Sequence, residues 1–424
     1  MSEPTGAAPA ATQQPAAAGI RTYPGQLRNL ILATLASTVG FWAWTLIGPL
    51  SKHYVAAMHL GSEQIAFLVA MPIFVGSLAR VPAGILTDKF GGRVMFTIVL
   101  GSAAVMAAVT GLVGTLNDFG ALMVAAFFLG VAGSVFAVGI PFSSAWYDPK
   151  RKGFATGVFG AGMVGTAVSA FFTPRLVAAV GYLPTHLIVA GVAALFAVVC
   201  ALFLRESPVF YTRTPQPAFP ALRRAFTLPA TYALCFMYAI VFGAFVAFSN
   251  YLPTYLSTVY GFNAEQAGTR VAGFALAAVI ARPIGGIIAD HVGPRLVTIV
   301  SLVGVIVFAE IVSFQPIQEV AYGGSFLAMA LLLGLGTGGV FAWVGKVVPA
   351  NSVGTVGGII AAAGGLGGYF PPLVMGLTYD AQHHSYFVGL SLLSVFCVVS
   401  LLIASFFGRK AATERAVAAA KNAG

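Results

Sequence analysis

The chain has 424 residues, 58% of them hydrophobic and only 8% charged, against about 25% charged in a soluble globular protein. So few charges cannot coat a particle of this size in water. Lipid is therefore its expected solvent, and soluble enzymes, nucleic-acid binders and disordered scaffolds are excluded. The formal net charge of +10 is a matter of where the cations lie, and it falls out of the topology below.

In chain order, residues 1–27 open with MSEPTGAAPAATQQPAAAGI, an Ala/Pro/Gln stretch with no charged segment leading into an apolar one. It reads as a disordered cytoplasmic tail and not as a signal peptide. A bilayer core of roughly 30 Å takes about 20 apolar residues per helix. Twelve such stretches follow, near 28–50, 63–86, 94–114, 120–145, 153–176, 182–204, 228–256, 264–288, 296–314, 323–347, 353–378 and 384–407. The longest polar interruption, RESPVFYTRTPQPAFPALRRAF, opens a cytoplasmic linker (205–227) between an N-terminal six-helix bundle (28–204) and a C-terminal one (228–407). Residues 408–424 form a second cytoplasmic tail. The predicted fold is an all-α polytopic membrane protein of twelve transmembrane helices in two pseudo-symmetric bundles. Cys200, Cys235 and Cys397 are scattered through apolar runs, with neither a disulfide framework nor metal-ligand spacing. Neither a metal nor a cofactor is expected.

Lysine and arginine are retained on the cytoplasmic side of a membrane protein. With both termini inside, seventeen cations fall there: Arg21, Arg28, Lys89, Arg93, Lys150, Arg151, Lys152, Arg205, Arg213, Arg223, Arg224, Arg295, Lys346, Arg409, Lys410, Arg415 and Lys421. The other face holds Lys52, Arg175 and Arg270. This asymmetry predicts cytoplasmic termini and explains the excess positive charge without nucleic acid as a partner.

The two halves repeat. RVPAGILTDKFGGR (80–93) and RPIGGIIADHVGPR (282–295) match at a constant offset of 202 residues, pairing Arg80, Gly84, Asp88, Gly91 and Arg93 with Arg282, Gly286, Asp290, Gly293 and Arg295. Gly162 and Gly364, and Gly165 and Gly367, share that offset. Duplicated halves of this kind place a substrate site at their interface near mid-membrane.

Arg80 and Arg282 each lie eight residues before a loop aspartate, which sets them about 12 Å into the membrane at 1.5 Å per residue. An arginine at that depth costs about 2.5–3.5 kcal/mol on insertion scales. Eleven of the twelve carboxylates fall in loops or tails; only Glu310 is inside a span, and it lies towards the outer face. Two symmetry-related guanidinium groups without a carboxylate make an anion site, because each presents a planar fork that matches oxyanions bidentately. The plainer alternative is that each bonds backbone carbonyls and holds the halves together.

Spans five and eleven carry GVFGAGMVGTAVSAFFTP (157–174) and GTVGGIIAAAGGLGGYFPP (354–372). Small-residue faces let helix backbones approach closely, and bare backbone can also line a narrow path for a small substrate. Both readings stand for Gly162, Gly165, Gly364, Gly365 and Gly367.

The pattern Gly84, Asp88, Lys89, Gly91, Arg93, with its second copy at Gly286, Asp290 and Arg295, resembles the loop 2–3 and loop 8–9 signature of the major facilitator superfamily. In that superfamily it gates the cytoplasmic side. The glycine strings of spans five and eleven, with AAGGLGGYFPP as the most specific piece, resemble the paired signatures of the nitrate/nitrite porter family, the NarK-type transporters. FAVGIPFSSAWYDPKRKGFATG and AFVAFSNYLPTYL resemble that family's spans four and seven. The resemblance implies that Arg80 and Arg282 bind the substrate, that Tyr238 and Phe242 flank it, and that Phe41 and Trp44 supply an opposing aromatic wall. Core packing is the alternative for each aromatic, in a chain with 34 Phe. One position departs from the pattern: the fifth-span motif ordinarily carries an asparagine where this chain has Met163. A thioether is a weak acceptor and donates nothing to an oxyanion.

The resemblance implies a secondary active transporter of nitrate and nitrite, and not an enzyme, working by alternating access in the cytoplasmic membrane. No P-loop lysine motif is present, so ATP-driven transport has no support. A negative interior opposes anion entry by about 2.3 kcal/mol per charge per 100 mV. Nitrate/nitrite exchange is therefore the expected mode. Proton symport and transport of another small or organic anion are the alternatives. The expected partners are the small inorganic anion and the bilayer, and the expected state is a monomer.

Overall fold

The computed structural model describes residues 23–148, 151–212, 218–348 and 353–423. The expected tail over residues 1–22, Lys150, and Arg213 with the following linker residues to 217 lie outside the described residues.

Among the described residues twelve helices are long and apolar enough to cross a membrane, and each expected span overlaps one, though the first runs on to Met58, eight residues past the end expected near residue 50. The first six are α1 (Gln26–Met58), α2 (Ser62–Phe90), α3 (Gly92–Gly114), α4 (Phe119–Ala145), α5 (Phe154–Val180) and α6 (Tyr182–Phe203). Two short linker helices follow, α7 (Pro208–Thr212) and α8 (Ala218–Phe226). The second six are α9 (Pro229–Tyr260), α10 (Ala264–Val292), α11 (Pro294–Ser313), α12 (Glu319–Val347), α13 (Thr355–Leu377) and α14, whose apolar span is Phe387–Phe407. The backbone of α14 stays helical to Ala423, beyond the span boundary expected near residue 407. The Ala-rich run AATERAVAAAKNA has the composition of a strong helix former. Among the described residues there is no β-strand, only an isolated bridge between Asp380 and Ser385.

Helix starts and stops follow local chemistry. Asn263 caps α10, accepting the Gln266 N–H at 2.8 Å while Gln266 returns the bond to the Asn263 N–H. Asp118 caps α4 through the Ala121 N–H at 2.7 Å. Gly91 and Gly293, the repeated loop glycines, both take positive φ, 88° and 96°, a conformation open to glycine and strained for any other residue.

Three spans of the first half carry 3₁₀ turns, and α13 of the second half breaks at a turn between Gly367 and Phe370. α1 breaks after Trp44 into a 3₁₀ turn at Gly48–Leu50, α4 carries a 3₁₀ turn at Gly130–Ser134, and α5 carries one at Ala161–Val164. Such mid-helix tightening often marks a functional hinge.

The packing of the halves differs between the two ends of the molecule. At the end away from the repeated loops, backbones approach closely. A methyl group on Gly268 of α10 would collide with the Ala170 carbonyl of α5, and one on Gly376 of α13 with Ala66 of α2. Arg175 Nη2 donates to Thr269 Oγ1 at 2.8 Å, and Lys52 Nζ to the Phe262 carbonyl at 3.2 Å, each bond joining one half to the other. At the end that holds the loops, Gly157, Gly160, Gly357 and Gly358 meet nothing within 4 Å on their Cβ side. Among the described residues the halves therefore pack closely at the far end, while these four glycines at the motif end have open Cβ sides.

Candidate functional site

The two midplane arginines come from helices locked by close seams. Gly334 and Gly338 of α12 press onto the Ala278 and Arg282 carbonyls of α10, and Gly285 of α10 presses onto Leu335. This G-x-x-x-G approach leaves the Arg282 backbone little freedom. On α2, Ser77 one turn before Arg80 bonds its own helix at the Ile73 carbonyl, 2.7 Å away.

Arg80 is 2% exposed. Its Nη1 donates to the Ala361 carbonyl of α13 at 2.6 Å, and its Nε makes a long contact of 3.5 Å with the Gly133 carbonyl in the α4 3₁₀ turn. Its Nη2 is buried and has no acceptor. Arg282 donates from Nη1 to the Met163 thioether at 2.9 Å and from Nη2 to the Tyr238 hydroxyl at 3.2 Å. Each arginine thus bonds the opposite half: Arg80 reaches α13, and Arg282 reaches the 3₁₀ turn of α5. Among the described residues neither forms an ion pair with a carboxylate.

Aromatic faces surround both guanidinium groups. Arg80 lies 5.6 Å from the ring centroids of Trp44, Phe136 and Phe242. Arg282 lies 5.3 Å from Phe136, 5.8 Å from Phe242 and 5.4 Å from Phe341. Phe136 and Phe242 are shared by the two cations, with centroids 6.5 Å apart and planes at 25°. Tyr238 stacks on Phe242 at 5.0 Å, holding its hydroxyl towards Arg282. A small internal space lined by Met163, Phe242, Phe245, Arg282 and Thr337 leaves about 10 Å³ open to the centre of a water molecule, room for about one water.

The structure thus brings together Arg80, Arg282, Tyr238, Phe242, Trp44 and Met163. Phe41 stands behind them, edge-on to Trp44 at 5.5 Å and to Phe136 at 6.2 Å, with no approach to either arginine among the ring contacts. Trp44 is oriented by its indole N–H, which donates to the Pro72 carbonyl at 2.7 Å. The glycines divide. Gly162 faces Thr34 and Ser37, and Gly165 faces Thr38 and Phe41, so both seat α5 against α1 of their own half. Gly367 seats α13 on Ala239 of α9 in the same manner, and Gly364 makes room for the Tyr238 and Phe242 rings. Gly365 alone crosses the halves, where a methyl group would collide with Ser77 Oγ and crowd Arg80 Nη1.

The loop motifs sit at one end of the bundle. Arg93 Nε donates to the Ala201 carbonyl of α6 at 2.8 Å, and Arg295 Nη2 to the Ser405 carbonyl of α14 at 3.2 Å. Each motif arginine therefore ties its loop to the last helix of its own half. Glu206 caps α3, taking the Arg93 N–H at 2.7 Å. Burial raises the Glu206 carboxyl above its ordinary range, against hydrogen bonds from the Arg93 and Gly92 N–H groups that lower it. Asp88 is exposed at the last turn of α2, and Gly84 and Gly286 have open Cβ sides, with only the Gly338 carbonyl at 4.0 Å from the latter. Asp290 has the Lys346 ammonium at 4.0 Å, while Lys346 Nζ also donates to the Ala289 carbonyl at 3.1 Å. Lys346 is thereby held on the second loop motif.

Sequence reasoning missed Phe136, Phe341, Ser77 and the carbonyls of Gly133 and Ala361. Phe136 sits two residues after the α4 3₁₀ turn, but no spacing separates it from the other phenylalanines, and a carbonyl carries no residue signature.

The Major Facilitator Superfamily profile matches residues 33–372 and 260–423. The probable nitrate/nitrite transporter NarK2 of Mycobacterium tuberculosis (strain H37Rv) is 52% identical over 392 residues, covering 92% of this chain and 99% of that one. The nitrite extrusion protein of Bacillus subtilis (strain 168) is 33% identical, over 88% of this chain and 93% of its own. Among solved structures, a bacterial homologue of the human lysosomal transporter Spinster, inward-facing and occupied, aligns with a TM-score of 0.71 at 17% identity, covering 92% of this chain and 98% of that one. That likeness establishes the fold. Twelve spans in repeated halves, the loop motifs and relatives alike over nearly their whole length all agree: the chain belongs to the nitrate/nitrite porter (NarK-type) family of the major facilitator superfamily.

Proposed function

We propose that the chain exchanges nitrate and nitrite across the cytoplasmic membrane by alternating access, with the anion held between Arg80 and Arg282 and the motif end facing the cytoplasm. The relatives named for nitrate and nitrite supply the substrate class. The observation that carries the reading is the buried, acceptor-free Nη2 of Arg80, one of two guanidinium groups that share the Phe136 and Phe242 faces. A buried charged donor without an acceptor is costly, and an oxyanion oxygen relieves that cost.

Nitrate is planar, and the Phe136 and Phe242 rings face each other at 25°, so once the water-sized space beside Phe242 widens a flat anion lies between apolar faces with its oxygens at the guanidinium edges. To engage Arg282 as well, it displaces the Met163 thioether, a weak acceptor that is cheap to release. Because each arginine already bonds the opposite half, an anion taken by both draws the halves 28–204 and 228–407 together. Loss of the far-end bonds Arg175–Thr269 and Lys52–Phe262 then lets the site face outward. Exchange needs no proton site beside the anion. The buried His186 and half-buried Glu310 lie near the far ends of α6 and α11, not at the arginine pair.

Counterflow tests this reading. Proteoliposomes loaded with nitrite are expected to take up labelled nitrate faster than empty ones, with little response to membrane potential because the exchange is electroneutral. Uptake that needs no internal anion and follows an inward proton gradient would contradict it.

A further inference from the structure

The linker helix α8 has a surface that the transport site does not use. Its sequence AFPALRRAF is strongly amphipathic, and its C-terminal end is fixed to the start of α9. Thr231 Oγ1 donates to the Ala225 carbonyl at 2.7 Å, and Tyr232 Oη to the Phe226 carbonyl at 2.9 Å. Ala225 is fully buried. The neighbouring flank is bare: Phe219 is 80% exposed and Phe226 48%. Seven residues apart, these two rings lie within about 20° of each other on the helix at about 100° per residue, with Arg223 about 40–60° from them and Arg224 about 140–160° from them, on the outer side of the helix. Tyr232, 59% exposed on the first turn of α9, extends the aromatic patch, its ring 6.4 Å from Phe226. Neither Arg223 nor Arg224 forms an ion pair among the described residues. The apolar stretch of α9 begins three residues after Phe226, so this flank lies at the level where a bilayer changes from headgroup to acyl chain.

Large exposed rings beside unneutralised arginines at that depth have the make-up of an interfacial helix. A free soluble anion would use the arginines and leave the rings in water; a zwitterionic surface would cover the rings but carries no net negative charge to attract the arginines. We propose that α8 is an interfacial helix that binds anionic phospholipid headgroups, with Phe219 and Phe226 at the acyl boundary and Arg223 and Arg224 on the phosphates.

The test places a reporter on that flank in the full chain. Phe219→Trp is reconstituted in phosphatidylcholine vesicles containing a minor fraction of phosphatidylglycerol, with bromine on the acyl chains of one lipid or the other. The parent protein, with its four native tryptophans, is the subtraction control. Emission from the introduced tryptophan is expected to be quenched, and at equal brominated fraction more strongly by phosphatidylglycerol. Arg223→Gln with Arg224→Gln should remove that preference, each arginine contributing about fivefold to local enrichment. An unquenched reporter, whether in water or covered by another part of the chain, would overturn the proposal. So would equal quenching by the two lipids, or a phosphatidylglycerol preference that survives both glutamines.

Discussion

The two arginines that repeat in sequence are not equivalent in the structure. Arg282 spends both terminal nitrogens on protein acceptors, Met163 and Tyr238, whereas Arg80 keeps Nη2 open. Arg80 is accordingly the first donor an incoming anion meets. Met163→Leu removes the competing acceptor at nearly constant volume. It is expected to lower the half-saturating nitrate concentration about two- to fivefold in proteoliposome uptake, the scale of one weak hydrogen bond. Phe242→Ala strips a ring that faces both cations and should raise that concentration about tenfold or more, as loss of a desolvated aromatic contact does. The arginines were legible because a charge inside an apolar run is too costly to be incidental. Phe136 was not, because in a chain with 34 phenylalanines only the fold reveals which rings meet a guanidinium. Met163 read as the loss of an amide donor, and the structure adds that its sulfur accepts from Arg282.

At the scale of helices, the breaks and glycine seams decide what can move. The spans themselves were legible from hydropathy, since lipid demands a fixed length of apolar helix. The 3₁₀ turns in α4 and α5 were not, as nothing in GVAGS or AGMV distinguishes them from small-residue packing. Glycine motifs that read equally as seam or pathway resolve by partner: Gly162, Gly165 and Gly367 meet helices of their own half, while Gly365 crosses between halves, as do Gly268 and Gly376 outside those motifs. Gly376→Leu should wedge the far end apart at α2. With a Thr269→Cys reporter, a membrane-impermeant thiol reagent applied from the far side should then label the cysteine several-fold faster than without the wedge, and nitrate uptake should fall. Unchanged labelling would show that the far-end seam does not control access.

For the whole molecule, the low charge count becomes a distribution: cations at the motif end, few at the far end and two at the centre. Glu206 joins the linker to the first loop motif, and its charge state gives a pH signature. Its pKa is raised in the folded state, so the native protein holds the proton more tightly than the unfolded chain. That contribution is fully present below the ordinary carboxyl pKa of about 4.3 and is lost as pH rises through the higher folded value. Glu206→Gln, which keeps an acceptor for the Arg93 N–H, should therefore raise the melting temperature in detergent by about 1–3 °C at pH 7. The difference should vanish near pH 4. A variant less stable than the parent at pH 7 would mean that the carboxylate's hydrogen bonds outweigh its burial.

The central claim is that one anion is held by both arginines, and equilibrium binding of nitrate to the purified protein tests it without the complications of flux. The parent protein should bind nitrate saturably and gain thermal stability as it does so, by about 2.7 kcal/mol at a hundredfold excess over Kd. Arg80→Lys and Arg282→Lys, which keep the charge but lose the planar fork, should each lower affinity by at least tenfold. Nitrate binding left intact in either lysine variant would contradict the two-guanidinium site.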